Sequence, residues 1–149
     1  MSIPLSFKGQ SVFVAGGSSG INLGIAKRYA ELGAKVAVLG RNPEKAAAAA
    51  AEIGHDAIGL TADVRDYGAI RGAMEEVRSK FGPLDIVVSG AAGNFLAAAD
   101  ALSANGFRTV LDIDAVGTFS TSRAAFPALN GEAKWEESIG ELIAALDSQ

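Results

Sequence analysis

The sequence predicts a doubly wound α/β fold, a parallel sheet with helices on both faces. The expectation rests on alternation, run length and one turn. Short, mainly apolar runs at residues 11–15, 35–39, 57–62 and 84–88 alternate with longer stretches of helical periodicity. That alternation is the mark of strand–helix–strand units and a parallel sheet. Their apolar residues are consecutive, as in Val36-Ala37-Val38-Leu39, rather than at every second position, as in strands covered on both faces. A glycine-rich turn, Gly16-Gly17-Ser18-Ser19-Gly20, joins the first run to the first helical stretch. Right-handed crossovers then give the strand order 3-2-1-4, with a ligand site across the carboxyl ends.

Each element follows from its residues. The first helix runs from about residue 20 to 32, with Ile21, Ile25, Tyr29 and Leu32 recurring at helical spacing toward the sheet. Gly33 ends it in the left-handed position usual for a helix stop. Pro43 opens the second helix, and the run Ala46 to Ala51 is made of the strongest helix former. Residues 66–81 form the third helix, with Ile70, Met74, Val77 and Phe81 on one face and Gly82-Pro83 as its stop. Ser103 reads as the N-cap of one long fourth helix reaching Phe126.

A strand that delivers a glycine turn onto a helix start is a phosphate-binding device. The unpaired N–H groups of the first helical turn and the positive end of the helix dipole both face the turn. The spacing Gly16-x-x-x-Gly20 followed by Ile21 resembles the turn of the short-chain dehydrogenase/reductase family, Gly-x-x-x-Gly-x-Gly. Asn22 stands where the third glycine falls, with Gly24 two places on. Asn tolerates left-handed backbone angles better than most residues. The alternative is a glycine-rich turn that holds nothing. The resemblance implies a Rossmann-like sheet and a nicotinamide cofactor, with Gly16, Ser18, Ser19, Gly20 and Ile21 at its pyrophosphate and ribose.

The end of the second strand bears on cofactor choice. An acid about 20 residues past the glycine turn would bind the ribose 2′-hydroxyl of NAD. The chain reads Gly40-Arg41-Asn42, with Arg41 in place of an acid. A guanidinium suits a 2′-phosphate by charge and paired hydrogen bonds, which favours NADP(H) over NAD(H). The bland alternative is a solvated loop arginine. Asp63-Val64 closes the third strand, where the resemblance implies contact with adenine; an aspartate there is also a common helix cap.

Ser89-Gly90-Ala91-Ala92 stands where the family has Asn-Asn-Ala-Gly, beside the nicotinamide ribose, so Ser89 and Ala91 join the candidate cofactor set. Gly93-Asn94-Phe95-Leu96 and the stretch from Leu111 to Phe119 are similar to the 2,4-dienoyl-CoA reductase branch. That similarity implies hydride transfer from NADPH to an unsaturated acyl thioester, with Asn94 and Phe95 bordering the acyl chain. The alternative for Asn94 and Phe95 is a polar turn residue and a core anchor. Asp114 falls where the family places a proton-relay Asn. An acid in an apolar helix relays protons if burial raises its pKa; equally, backbone groups in a helix bend satisfy it.

The family pattern, followed from about residue 7 to 127, continues with a serine-bearing strand and a Tyr-x-x-x-Lys helix. Here the residues four places beyond Tyr29 and Tyr67 are Gly33 and Arg71, so neither tyrosine supplies that pair. Reductase turnover by this chain alone is therefore not expected. The other reading is a non-catalytic nucleotide-binding or protein-interaction module. Residues 1–129 are expected to form the cofactor-binding domain, ending after the fourth strand and long helix. Residues 130–149, with Trp135, Ile139, Leu142, Ile143 and Leu146 at helical spacing, are expected to form an amphipathic helix. The fourth strand would then present an uncovered apolar edge, which favours a homo-oligomer through that edge or the long helix.

Composition limits the remaining classes. Thirteen basic against 17 acidic residues give a net charge of −4 and no electrostatic footprint for nucleic acid or an anionic membrane. The chain has no cysteine, which excludes disulfides and thiol chemistry. No run is long enough to span a bilayer and the start lacks a signal-peptide pattern, so a cytoplasmic location is expected. His55, between Gly54 and Asp56, reads as a solvated turn residue, and no metal site is expected.

Overall fold

Continuous apolar strands need cover on both faces. The computed structural model, which describes residues 5–94 and 96–129, supplies it. Strands β1 (Ser11–Ala15) and β2 (Lys35–Gly40) form the centre of the sheet, and every β1 residue is buried. β3 (Ile58–Thr61) and β4 (Ile86–Ser89) flank them in the order β3-β2-β1-β4, all parallel, as the sequence predicts. The register sets Val14 opposite Val38 on one side and Val88 on the other.

Side chains of a strand alternate between faces. Val12, Val14, Val36 and Val38 therefore pack beneath α1 (Gly20–Glu31) and α2 (Pro43–Ile53), against Ala26, Ala30, Ala49 and Ile53. Phe13, Ala15, Ala37 and Leu39 point the other way, onto Ile70, Met74 and Val77 of α3 (Tyr67–Phe81). Three helix starts are fixed by side-chain caps. Asn42 Oδ1 accepts the Lys45 N–H at 2.9 Å, Asp66 Oδ1 that of Ala69 at 3.0 Å, and Ser103 Oγ that of Gly106 at 3.0 Å. The capping role open to Asp63 thus falls to Asp66.

The face that α1 buries differs from the sequence expectation. Ala26 and Ala30 meet the sheet, whereas Ile21 is 84% exposed. Two small residues let the helix axis approach the sheet closely, which pushes the bulky positions to the flanks. Tyr29 there meets the Phe7 ring edge-on, with centroids 4.8 Å apart.

The long helix expected to reach Phe126 is divided. It comprises α4 (Ala104–Leu111), a π-helical turn (Asp112–Val116), α5 (Gly117–Ala125) and a 3₁₀ turn (Phe126–Ala128). A π turn inserts a residue into the helical repeat and re-aims the side chains around it. Here it turns Ile113 into the core, and Gly117 passes so near Val64 that a Cβ would lie 2.6 Å from Val64 Cγ2.

The outer edge of β4 is not wholly uncovered. Leu129 makes a parallel bridge to Leu84, whose N–H donates to the Ala128 carbonyl at 2.9 Å. The expected amphipathic helix over 130–149 lies outside the described residues.

Ile70 has no exposed surface and joins α3 to the sheet. Ile70→Ala is expected to cost about 2–5 kcal/mol. Urea unfolding should show this as a lower midpoint at unchanged slope.

Candidate functional site

In an open parallel sheet, ligands sit outside the carboxyl ends of the strands where the strand order reverses. In this sheet that place lies between β1 and β2 on one side and β4 on the other. It holds a cleft of about 540 Å³, lined by the turn after β1, the ends of β2 and β3, the turn after β4, and Ile113. Small-molecule sites run from about 300 to 1,000 Å³.

The turn after β1 is built for close approach. Gly16 has φ +75°, and a Cβ on it would lie 2.7 Å from the Ala91 Cα, so only glycine lets the two turns touch. Gly20, at φ +60°, turns the chain into α1 with open space around it. Ser19 is the N-cap of α1, yet its side chain makes no capping bond, and the first turn carries no acid. The positive end of α1 is thus not neutralised by its own side chains, which suits an anion. Ser18 enters the cleft against Gly40, where a Cβ would fall 2.6 Å from Ser18 Oγ.

Asn22 does not take a left-handed backbone, unlike His55 and Asp56 in the turn after α2. It is helical, and its Nδ2 donates to the Gly90 carbonyl at 2.6 Å. Gly24 does not replace the missing glycine, because a Cβ there would meet nothing within 4 Å.

Arg41 is exposed on the rim at the end of β2. Asp63 and Val64 line the opposite wall. The Asp63 carboxylate is gripped on both oxygens by Arg65, with Nε to Oδ1 at 2.9 Å and Nη2 to Oδ2 at 2.6 Å. The Arg65 backbone N–H adds a bond of 3.0 Å to Oδ1. These bonds lower the Asp63 pKa from 3.8 to about 2, with partial burial opposing and the Arg41 charge assisting weakly. The carboxylate facing the cleft is therefore fixed as an anion.

Of the cofactor set read from the sequence, Gly16, Ser18, Ser19, Ile21, Arg41, Asp63, Val64 and Ala91 line the one cleft. Gly20, at φ +60°, turns the chain but is not in the lining. Ser89 is the last residue of β4, exposed and outside the lining. Asn94 is exposed and also outside it, and Phe95 is outside the described residues. Asp114 sits in the π turn, exposed, and accepts the Gly93 N–H at 2.8 Å. Asp114 is thus not buried in this structure, and its contact is to a backbone N–H of the turn after β4 rather than within its own helix. Tyr29 and Tyr67 stand away from the cleft, Tyr29 on Phe7 and Tyr67 with the Arg123 guanidinium 5.0 Å from its ring centroid. Sequence reasoning missed Asn22 as a tether and Arg65 as the partner of Asp63. The Asp63-x-Arg65 spacing carried the second signal; nothing local carried the first.

A family model described as short chain dehydrogenase matches residues 10–144. The chain belongs to the short-chain dehydrogenase family. The match runs past residue 127, where the resemblance was expected to stop. A peroxisomal 2,4-dienoyl-CoA reductase of Arabidopsis thaliana is 46% identical over 134 residues, covering 88% of this chain and 45% of that protein. A short chain dehydrogenase from Burkholderia cenocepacia, solved in complex with NADP, is 35% identical with a TM-score of 0.76, over 83% of this chain and 52% of that one. A 3-ketoacyl-(acyl-carrier-protein) reductase from Brucella melitensis, complexed with NADH, is 31% identical with a TM-score of 0.77, over 83% and 51%. The chain spans about half the length of the curated relatives it matches. Among the described residues, no helix is long and apolar enough to cross a membrane.

The lowered Asp63 pKa gives the pair a pH signature. Its contribution to stability is present in full above about pH 4 and is lost as pH falls from 3.8 toward 2. Acid unfolding of the wild-type chain and of Arg65→Met should show this component in the first and not in the second.

Proposed function

We propose that this chain carries the cofactor-binding half of an NADP(H)-dependent reductase of unsaturated acyl thioesters. The observation that carries the reading is the end of α1. Its uncapped, acid-free N-terminus opens into a glycine-walled cleft, with Arg41 on the rim where an NAD-specific site would hold an acid.

The residues present fit such a cofactor. Gly16 leaves backbone where a side chain would stand, and the α1 N–H groups with the Ser18 and Ser19 hydroxyls suit the pyrophosphate. Arg41 offers a fork of donors to a 2′-phosphate. Asp63, held by Arg65, and Val64 border the adenine. The turn carrying Gly90 and Ala91 borders the nicotinamide ribose. A bound nicotinamide supplies hydride transfer; the protein binds and orients. Asp114 accepts from the Gly93 N–H just ahead of Asn94, and the resemblance would put Asn94 and Phe95 beside the acyl chain. The 2,4-dienoyl-CoA reductases among the relatives support the substrate class.

A second reading, a nucleotide-binding or interaction module without turnover, is favoured by one observation. Neither tyrosine of the sequence lies at the cleft or heads a Tyr-x-x-x-Lys pair. We combine the two: the ancestry is reductase, and the isolated chain binds cofactor without reducing substrate. Calorimetric titration should give tighter binding for NADPH than for NADH. Arg41→Ala should remove about tenfold of the NADPH affinity and leave NADH unchanged. Dienoyl thioesters should produce no NADPH oxidation. Equal affinities for the two nucleotides, or turnover by the pure chain, would overturn the proposal.

Self-association belongs to the same proposal. Phe107, Leu111, Val116 and Phe119 are 55, 44, 45 and 61% exposed along α4, the π turn and α5. Exposed apolar surface of this kind marks contact sites. Sedimentation should find a dimer, and Phe119→Asp should return it to the monomer.

A further inference from the structure

The cleft has two walls that the sequence places far apart, the turn after β1 with the start of α1, and the turn after β4. They touch at two points. At one, the Gly16 backbone lies against the Ala91 backbone, where a Cβ would come within 2.7 Å. At the other, the Asn22 carboxamide donates to the Gly90 carbonyl at 2.6 Å. The second contact is exclusive. A Cβ on Gly90 would fall 2.3 Å from Asn22 Oδ1 and 2.5 Å from Nδ2, so the space that a side chain at 90 would use is filled by the carboxamide. Gly90 has no left-handed φ, so a side chain there would displace that carboxamide rather than strain the backbone. The Gly90 N–H, on the other side of the same residue, donates to the Ala15 carbonyl at 3.1 Å. Gly90 is therefore held between β1 and the first turn of α1.

We propose that Asn22 is a positioning residue of the cofactor cleft. Its carboxamide ties the anion-facing end of α1 to the turn after β4 and sets the distance between the pyrophosphate wall and the nicotinamide-ribose wall. The proposal rests on the reading that the cleft holds NADP(H). A donor at Asn22 and no side chain at Gly90 act as one unit, and removing either half opens the same joint. A purely structural residue would show its loss in stability. Asn22 should not, because alanine is the better helix former at an α1 position. Its loss should appear in cofactor affinity and in the mobility of the Gly90 turn.

The test is a double-mutant cycle on the full chain with Asn22→Ala, Gly90→Ala and the two together, titrated with NADPH. Each single change should weaken binding about tenfold, the scale of one good hydrogen bond to a backbone group. The double variant should be no weaker than either single, because one link is lost only once. Thermal midpoints should stay close to wild type for Asn22→Ala. Losses that multiply to about a hundredfold, or full affinity in Asn22→Ala, would overturn the proposal. Amide exchange of Gly90 without nucleotide decides the point independently. It should quicken in Asn22→Ala, and an unchanged rate would overturn the link even if Gly90→Ala fails to fold. If the wild-type chain binds neither NADPH nor NADH, the cofactor reading falls, while the exchange rate still reports on the tether.

Discussion

The approach of the glycine turn after β1 to the turn after β4 is the constraint on which this structure's site depends. Backbone meets backbone at Gly16 and Ala91. Any side chain at residue 16 would force the two apart. The cleft exists because both turns rise from adjacent parallel strands, and parallel neighbours deliver their carboxyl ends to the same edge. The register that sets Val14 beside Val88 carries this contact, and the buried valines of the central strands hold that register.

Electrostatics in the cleft are divided between its two ends. The α1 terminus offers uncompensated positive potential and Arg41 an exposed cation on the rim. Asp63, the one carboxylate among the described residues that line the cleft, is already matched by the two-point grip of Arg65. An anion entering between Ser18 and Arg41 therefore meets an acid whose charge is answered locally. That arrangement suits a doubly phosphorylated ligand better than an unpaired acid at the same place would.

The π turn shows how a helix serves the site without lining much of it. It directs Ile113 toward the cleft and sends Asp114 to the Gly93 N–H. The Gly93 approach to Ile113, 2.5 Å from a notional Cβ, makes the segment after β4 follow the helix surface. A straight helix would place Ile113 and Asp114 about 100° from these directions after one inserted residue is removed.

The sequence by itself determined the strand order, the Pro43 helix start, the Ser103 cap, the glycine turn and most of the cleft lining. Those features depend on local chemistry and short-range periodicity, which a linear chain displays. The burial face of α1 was misjudged because hydrophobicity ranks Ile21 above Ala26, whereas the close seat on the sheet favours the smaller residue. The π turn, the Asp114 contact and the Asn22 tether were decided only in the tertiary structure. The two contacts join residues 21 and 68 positions apart, and no periodicity records such a pairing. What a carboxamide does at residue 22 depends on which carbonyl the folded sheet brings to it.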